Sequence, residues 1–212
     1  MESITTADVV SFITRLAEVM PEHEQALRDL DAQIGDGDLG VTVRLGTRGM
    51  ADAAAELAAG SPGIALAKSG MAFNRAAAST FGVIFATILM SMGKAVGGMN
   101  AITVLDLPAM FEAAVEGVKA RGGAQVGDKT VLDVLAPMAQ TLRKAVAAGV
   151  TLPQAVVAAT VTCHEALEAT KQLQGRHGRS GWFKEKTIGV PDPGSTVICM
   201  MMDVLRECVS QG

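Results

Sequence analysis

Asp31-Ala32-Gln33-Ile34-Gly35-Asp36-Gly37-Asp38-Leu39-Gly40 puts three carboxylates and three glycines within ten residues. Asp36 and Asp38 are two apart and cannot share one face of a regular helix. The glycines beside them predict a tight turn with unusual backbone angles. Residues 21–30 read as helix, which puts Asp31 near its end. The three side chains can then converge on a point just beyond that end. Two carboxylates about 4 Å apart repel by roughly 4 kcal/mol at an effective dielectric of ~20. No Lys or Arg within the stretch relieves this. Two readings are open, a solvated acidic turn or a divalent-cation site at Asp31, Asp36 and Asp38. The clustering favours the cation, and an all-oxygen ligand set suits Mg²⁺ or Ca²⁺.

Outward from this turn the chain reads as helices. Thr5 or Thr6 can cap a first helix to about Met20, with Val9, Phe12, Ile13 and Leu16 on one face. Pro21 suits the first position of a second helix, which carries the chain to Asp31. Further helices are predicted over 41–57, from Ser61-Pro62 to about Arg75, and through the apolar run to Met92. Others follow over 105–121, 129–148 and 152–171, and the last runs from Ser195 or Thr196 to about Cys208. No alternation persists long enough to predict a strand, and no linker or repeat divides the chain. The expected fold is all-α, in a single domain over 1–212.

The bulk properties agree. Hydrophobic residues make up 49% of 212 residues while aromatics make up 3%, so Ala, Leu, Val and Met carry the core and helices pack through small residues. A net charge of −4 without a long basic run argues against nucleic-acid binding. Ala76–Gly93 is 18 residues without a charge, close to a membrane span in length, but its hydroxyls and glycines predict a buried helix instead. Residues 1–11 lack a basic-then-apolar leader, so a cytoplasmic location is expected. Cys163, Cys199 and Cys208 are odd in number and without Cys-x-x-Cys spacing, which predicts reduced, buried, inert thiols.

Three further stretches carry possible chemistry. Ser79-Thr80 places two hydroxyls in the apolar run, though each can simply bond back to its helix. Gly127-Asp128-Lys129-Thr130-Val131-Leu132-Asp133 opens a helix, where Asp128 and Thr130 can be caps. Residues 174–195 are too long and basic for an ordinary connector and close in Asp192-Pro193-Gly194. His23, His164 and His177 show no ligand or triad spacing. A cation, hydroxyls, helix N-termini and a basic loop together describe a polyphosphate site. Neither a Gly-x-x-x-x-Gly-Lys-Ser/Thr loop nor an EF-hand spacing is present.

Together these residues resemble the L-subunit family of dihydroxyacetone kinases. The family's distal Asp and Gly-Asp-Gly-Asp-His-Gly turn correspond to Asp31 and Gly35–Gly40. Its Gly-Asp-Lys-Thr-Met-Leu-Asp stretch corresponds to Gly127–Asp133, and its Gly-Arg loop ending in Asp-Pro-Gly to Gly178-Arg179 through Gly194. The resemblance implies an antiparallel eight-helix barrel with ADP or ATP at one end. It implies Asp31, Asp36 and Asp38 as ligands of two Mg²⁺ ions. Leu39, Gly40, Val41, Thr42, Ser79 and Thr80 would lie along the phosphates. Gly122, Val131, Arg179, Asp192, Pro193 and Gly194 would line the rest of the pocket, with Arg179 stabilising the transferring phosphoryl group. It further implies a separate K-type subunit that holds a hydroxyketone covalently on a histidine. In some members a phosphotransferase-system phosphoprotein recharges bound ADP. A homodimer stays open. Leu39 stands where the family has His, Ala76–Thr80 where it has Gly-Gly-x-Ser-Gly, Val131 where it has Met, Trp182 where it has Tyr, and Lys186 where it has Arg. These departures leave two alternatives: a non-catalytic Mg-nucleotide-binding regulator, or a kinase subunit for another short ketose such as a tetrulose.

Overall fold

The computed structural model describes residues 1–211. Among the described residues eleven α-helices follow one another: α1 (Thr6–Val19), α2 (Glu24–Asp31), α3 (Leu39–Asp52), α4 (Ala54–Leu57), α5 (Pro62–Ala76), α6 (Thr80–Ala95), α7 (Leu107–Gly122), α8 (Leu132–Ala147), α9 (Leu152–Thr170), α10 (Ser180–Phe183) and α11 (Pro193–Gln211). Among the described residues, eight of these have 14 residues or more. Each of the eight packs on the next in chain order, α1 on α3, α3 on α5, and so on to α9 on α11, and α11 packs back on α1. The ring closes into an eight-helix barrel with antiparallel neighbours.

Local chemistry sets the helix ends. Thr5 and Asp8 form a capping box for α1, and Thr151 and Gln154 form one for α9. Ser61 caps α5, with Pro62 as its first residue. Small residues let the helices approach closely. A Cβ on Gly63 of α5 would stand 2.5 Å from the Gly93 carbonyl oxygen of α6, so that crossing admits no side chain. Inside the ring, Leu, Ile, Val and Met pack around a few aromatics, Phe73 lying 4.8 Å from Phe85 edge-on. An apolar cavity of about 140 Å³ remains there, lined by Phe85, Met110, Phe111, Leu135, Ile198 and Met202 among others.

Several boundaries differ from the expected ones. The helix expected over 41–57 begins at Leu39 and breaks at Ala53 into α3 and α4. The stretch from Pro21 starts as a 3₁₀ turn, Met20–His23, before α2. α8 begins at Leu132 rather than Lys129, because Gly127 and Lys129 take positive φ, 97° and 60°, which no right-handed helix accommodates. α11 starts earlier than expected, at Pro193, whose fixed φ suits a first turn. A two-residue antiparallel pair, Ser3–Ile4 with Ile102–Thr103, was not foreseen and ties the start of the chain to the α6–α7 connection. The apolar run before Lys94 forms the barrel helix α6, and no helix among the described residues is long and apolar enough to cross a membrane. The inert-thiol expectation fails for two cysteines. Cys163 of α9 and Cys199 of α11 form a disulfide with Cα atoms 5.7 Å apart, while Cys208 is free.

Candidate functional site

One end of the barrel carries a cleft of about 310 Å³, open to solvent. Its walls come from the end of α2, the start of α3, the α5–α6 junction, the end of α7, the approach to α8 and the segment between α9 and α11.

The acidic turn is built on Asp31. Its Oδ2 accepts the backbone N–H of Gly37 at 2.9 Å and of Asp38 at 3.1 Å, folding the turn back on the end of α2. Gly37 has φ +74°, where an L side chain is strained, and a Cβ on Gly35 would overlap Asp31 Oδ1. One carboxylate oxygen from each of Asp31, Asp36 and Asp38 lies within 4.8 Å of the others. Burial, and then the neighbouring Asp36 charge, push the Asp38 carboxyl above its usual range; burial also raises Asp31, against the pull of the Leu39 backbone N–H. Arg179 gives partial relief, with Nη2 2.8 Å from Asp36 Oδ2 and Nη1 4.0 Å from Asp38 Oδ2. Three close, hard oxygens and a glycine-cleared floor fit a small divalent cation.

Around this corner, Ser79 Oγ accepts the Gly82 N–H at 2.9 Å and caps α6, while the exposed Thr80 lines the cleft. Leu39, Gly122, Val131, Pro193 and Gly194 line it as well. Gly40, Val41 and Thr42 lie in the first turn of α3 outside this lining; Gly40 is pressed on the Glu24 carbonyl, and Thr42 is buried. Asp192 lines the cleft from a buried position. Its Oδ2 accepts the Ser195 N–H at 2.7 Å at the head of α11, and burial pushes its carboxyl up to about 6.

Sequence reasoning passed over several cleft residues. Phe81, Ile84, Val118 and Ala124 form an apolar wall. Their helical spacing, 81 with 84 and 118 with Gly122, reads as ordinary core and carries no separate signal. His177 lines the cleft and bonds Asp128 Oδ2 through Nε2 at 2.9 Å, with Arg176 Nη1 3.3 Å from Asp128 Oδ1. The Gln125 backbone N–H, with His177, holds the Asp128 carboxyl below its usual range. Asp128 therefore anchors the basic segment rather than capping α8.

The DAK2-domain model matches residues 33–207, from the acidic turn to the last helix. The chain belongs to the DAK2-domain family. The ADP-binding subunit DhaL of the PEP-dependent dihydroxyacetone kinase of Escherichia coli K12 is 30% identical over 96% of this chain and 97% of its own length. The L-erythrulose 1-kinase of Mycolicibacterium smegmatis is 33% identical over 94% of this chain, which spans only 35% of that longer protein. In fold, the DAK2 domain resembles the dihydroxyacetone kinase of C. freundii, solved with AMP-PNP and Mg²⁺, at a TM-score of 0.70 and 23% identity over 98% of this chain and 34% of that one. That likeness establishes the all-α fold, and the match to the DhaL subunit runs over nearly the full length of both chains.

Proposed function

We propose that this chain is the nucleotide-binding subunit of a cytoplasmic kinase for short hydroxyketones. It would act with a separate K-type subunit that presents the ketose. The observation that carries the reading is the convergence of Asp31, Asp36 and Asp38 with Arg179 at the mouth of a cleft with an apolar wall. A Mg-nucleotide fits both parts. The wall of Phe81, Ile84 and Val118 suits a planar base, and the acidic corner would hold Mg²⁺ against the phosphates. Mg²⁺, two ions by analogy with the family, would be held by Asp31, Asp36 and Asp38 and would neutralise charge on the phosphates.

The chain's own residues do the rest. Asp31 orders the turn through the Gly37 and Asp38 N–H groups and so fixes the spacing of the carboxylates. The helix heads at Ser79-Thr80 and at Pro193-Gly194 offer N–H dipoles to anionic oxygens. Arg179 is the one guanidinium lining the cleft among the described residues, and it neutralises charge on the transferring group. Outside the acidic turn, whose carboxylates are assigned to the cation, no lining carboxylate or histidine among the described residues stands free to deprotonate an acceptor. Asp192 is bonded to Ser195 and His177 to Asp128, in keeping with an acceptor activated on the partner.

The donor is ATP or, as the relatives' PEP-dependent and PTS-dependent names suggest, a bound ADP recharged by a phosphoprotein. A four-carbon ketose is the second reading, favoured by the erythrulose kinases of M. smegmatis among the relatives. Mixing the chain with a K-type subunit, Mg-ATP and either dihydroxyacetone or erythrulose tests both. Transfer is expected with one of them. Mg-nucleotide binding without transfer to any short ketose would instead indicate a regulator. Arg179→Ala is expected to slow transfer by about 10³-fold while Mg-ADP affinity changes far less.

A further inference from the structure

Lys129 is 1% exposed, yet it carries an ammonium group. Its Nζ donates to four backbone carbonyls, those of Thr170 at 2.9 Å, Leu173 at 3.1 Å, Thr187 at 2.7 Å and Val190 at 2.5 Å. An ammonium has three N–H donors, so one is shared and none is left for water. The carbonyls come in two pairs. Thr170 and Leu173 lie where the chain leaves α9, and the Thr170 carbonyl also accepts the Leu173 N–H at 3.0 Å. Thr187 and Val190 lie where it returns to α11. Lys129 itself adopts φ 60°, a conformation that disfavours any residue with a Cβ. A strained backbone and a desolvated charge are both expensive, and they meet at one residue.

We infer that Lys129 is a positioning residue, whose ammonium closes the neck of the 174–191 segment and thereby sets where Arg179 stands in the cleft. The inference rests on the phosphoryl-transfer reading of that cleft. Further bonds join the same two ends. Gly175 N–H donates to Thr187 Oγ1 at 2.8 Å, Gly189 N–H to the Lys171 carbonyl at 2.7 Å, and Asp192 N–H to Thr170 Oγ1 at 3.0 Å. Beyond the neck the segment is loosely held. Trp182 is 80% exposed, and among the described residues the polar contacts to the rest of the chain are those of Arg176 and His177 with Asp128 and of Arg179 with the acidic turn. The neck therefore bounds how far Arg179 can stray. Lys129 touches no cleft anion through its ammonium, since every N–H is committed to a carbonyl.

A purely structural role and a positioning role differ in measurable ways. The variants are Lys129→Met, Arg179→Ala and the double variant, checked for helix content. Mg-ADP affinity is read by calorimetry, and transfer is read with the K-type subunit present. Lys129→Met is expected to leave the Mg-ADP dissociation constant within about threefold and to lower kcat by about 100-fold, the scale of a roughly 1 Å misplacement. The double variant is expected to be no more than about threefold slower than Arg179→Ala alone, because Lys129 acts through Arg179. Losses that multiply, or a change confined to affinity, overturn the inference. Trp182 is the chain's one tryptophan and reports the segment without any substrate. Its fluorescence anisotropy is expected to fall in Lys129→Met, and an unchanged value overturns the proposal. If that variant does not fold, native-state amide exchange on the unsubstituted chain decides. Gly175 and Gly189 are expected to be protected like the last turn of α9, with residues 180–186 exchanging fast. Unprotected Gly175 and Gly189 overturn the neck. Failure of the unsubstituted chain to transfer phosphoryl at all refutes the functional reading alone, since anisotropy and exchange still test the neck.

Discussion

Charge is concentrated in two places at the same end of the barrel, and the two are built on opposite terms. The acidic turn holds Asp31, Asp36 and Asp38 half in solvent, with their oxygens within 4.8 Å and one arginine between them. About the Gly127–Asp133 stretch, by contrast, Asp128, Lys129, Asp133 and Asp192 are all buried, and each is satisfied by named partners. The buried group spends its charges on backbone N–H and C=O groups, which fixes the chain path. The acidic turn leaves mutual repulsion only partly relieved by Arg179, which favours an incoming cation. Similar residue types thus serve structure where they are saturated and binding where they are not.

That contrast can be broken by substitution. Asp36→Ala carries the largest expected effect. Mg-dependent nucleotide binding falls by at least about 100-fold in calorimetry, helix content holds, and metal-free thermal stability is unchanged or raised because a repulsive neighbour is gone. Intact Mg-ADP affinity would remove the metal assignment. Asp133→Ala is expected to do the reverse. Its carboxylate accepts the Gly127 N–H and, at 2.8 Å, the Thr130 N–H, so truncation strands two donors. Denaturant unfolding is expected to show a loss of about 3 kcal/mol. A loss no larger than that of Asp36→Ala would erase the distinction. The smallest and most specific effect is on pH. Asp192 is raised from 3.8 to about 6 by burial, so the folded state binds its proton more tightly than the unfolded one. That contribution is fully present below about pH 4 and is lost as pH rises through about 6, by up to roughly 3 kcal/mol. Asp192→Asn keeps a capping side chain at the head of α11 and is expected to flatten this interval. A variant whose stability still falls between pH 4 and 6 as steeply as the parent's would move the effect to another group.

The same contrast explains what could be read in advance. Repulsion among Asp31, Asp36 and Asp38 is a local property of a ten-residue stretch, so the turn was legible without coordinates. The helices were legible from the cap at Thr5 and from Ser61-Pro62, and family resemblance supplied the ring. Lys129 was not legible, because its four acceptors lie 41 to 61 residues away and a lysine beside an aspartate reads as a surface or phosphate-facing charge. The Cys163–Cys199 pairing was hidden for a similar reason, two helices meeting across a separation of 36. Phe81 and Ile84 carry the helical spacing of core residues, and only the open mouth of the barrel turns that face into a wall of the cleft.

The closing contact of α11 on α1 has a topological consequence. A ring whose chain order is also its spatial order has no privileged seam. The cleft gathers the start of α3, α6 and α11, so the start of α1 and the end of α11 lie together at the opposite rim. A circular permutant joined there and reopened at the Gly97-Gly98 turn would keep every helix-to-helix neighbour, and a domain spliced at that rim would leave the mouth of the cleft clear.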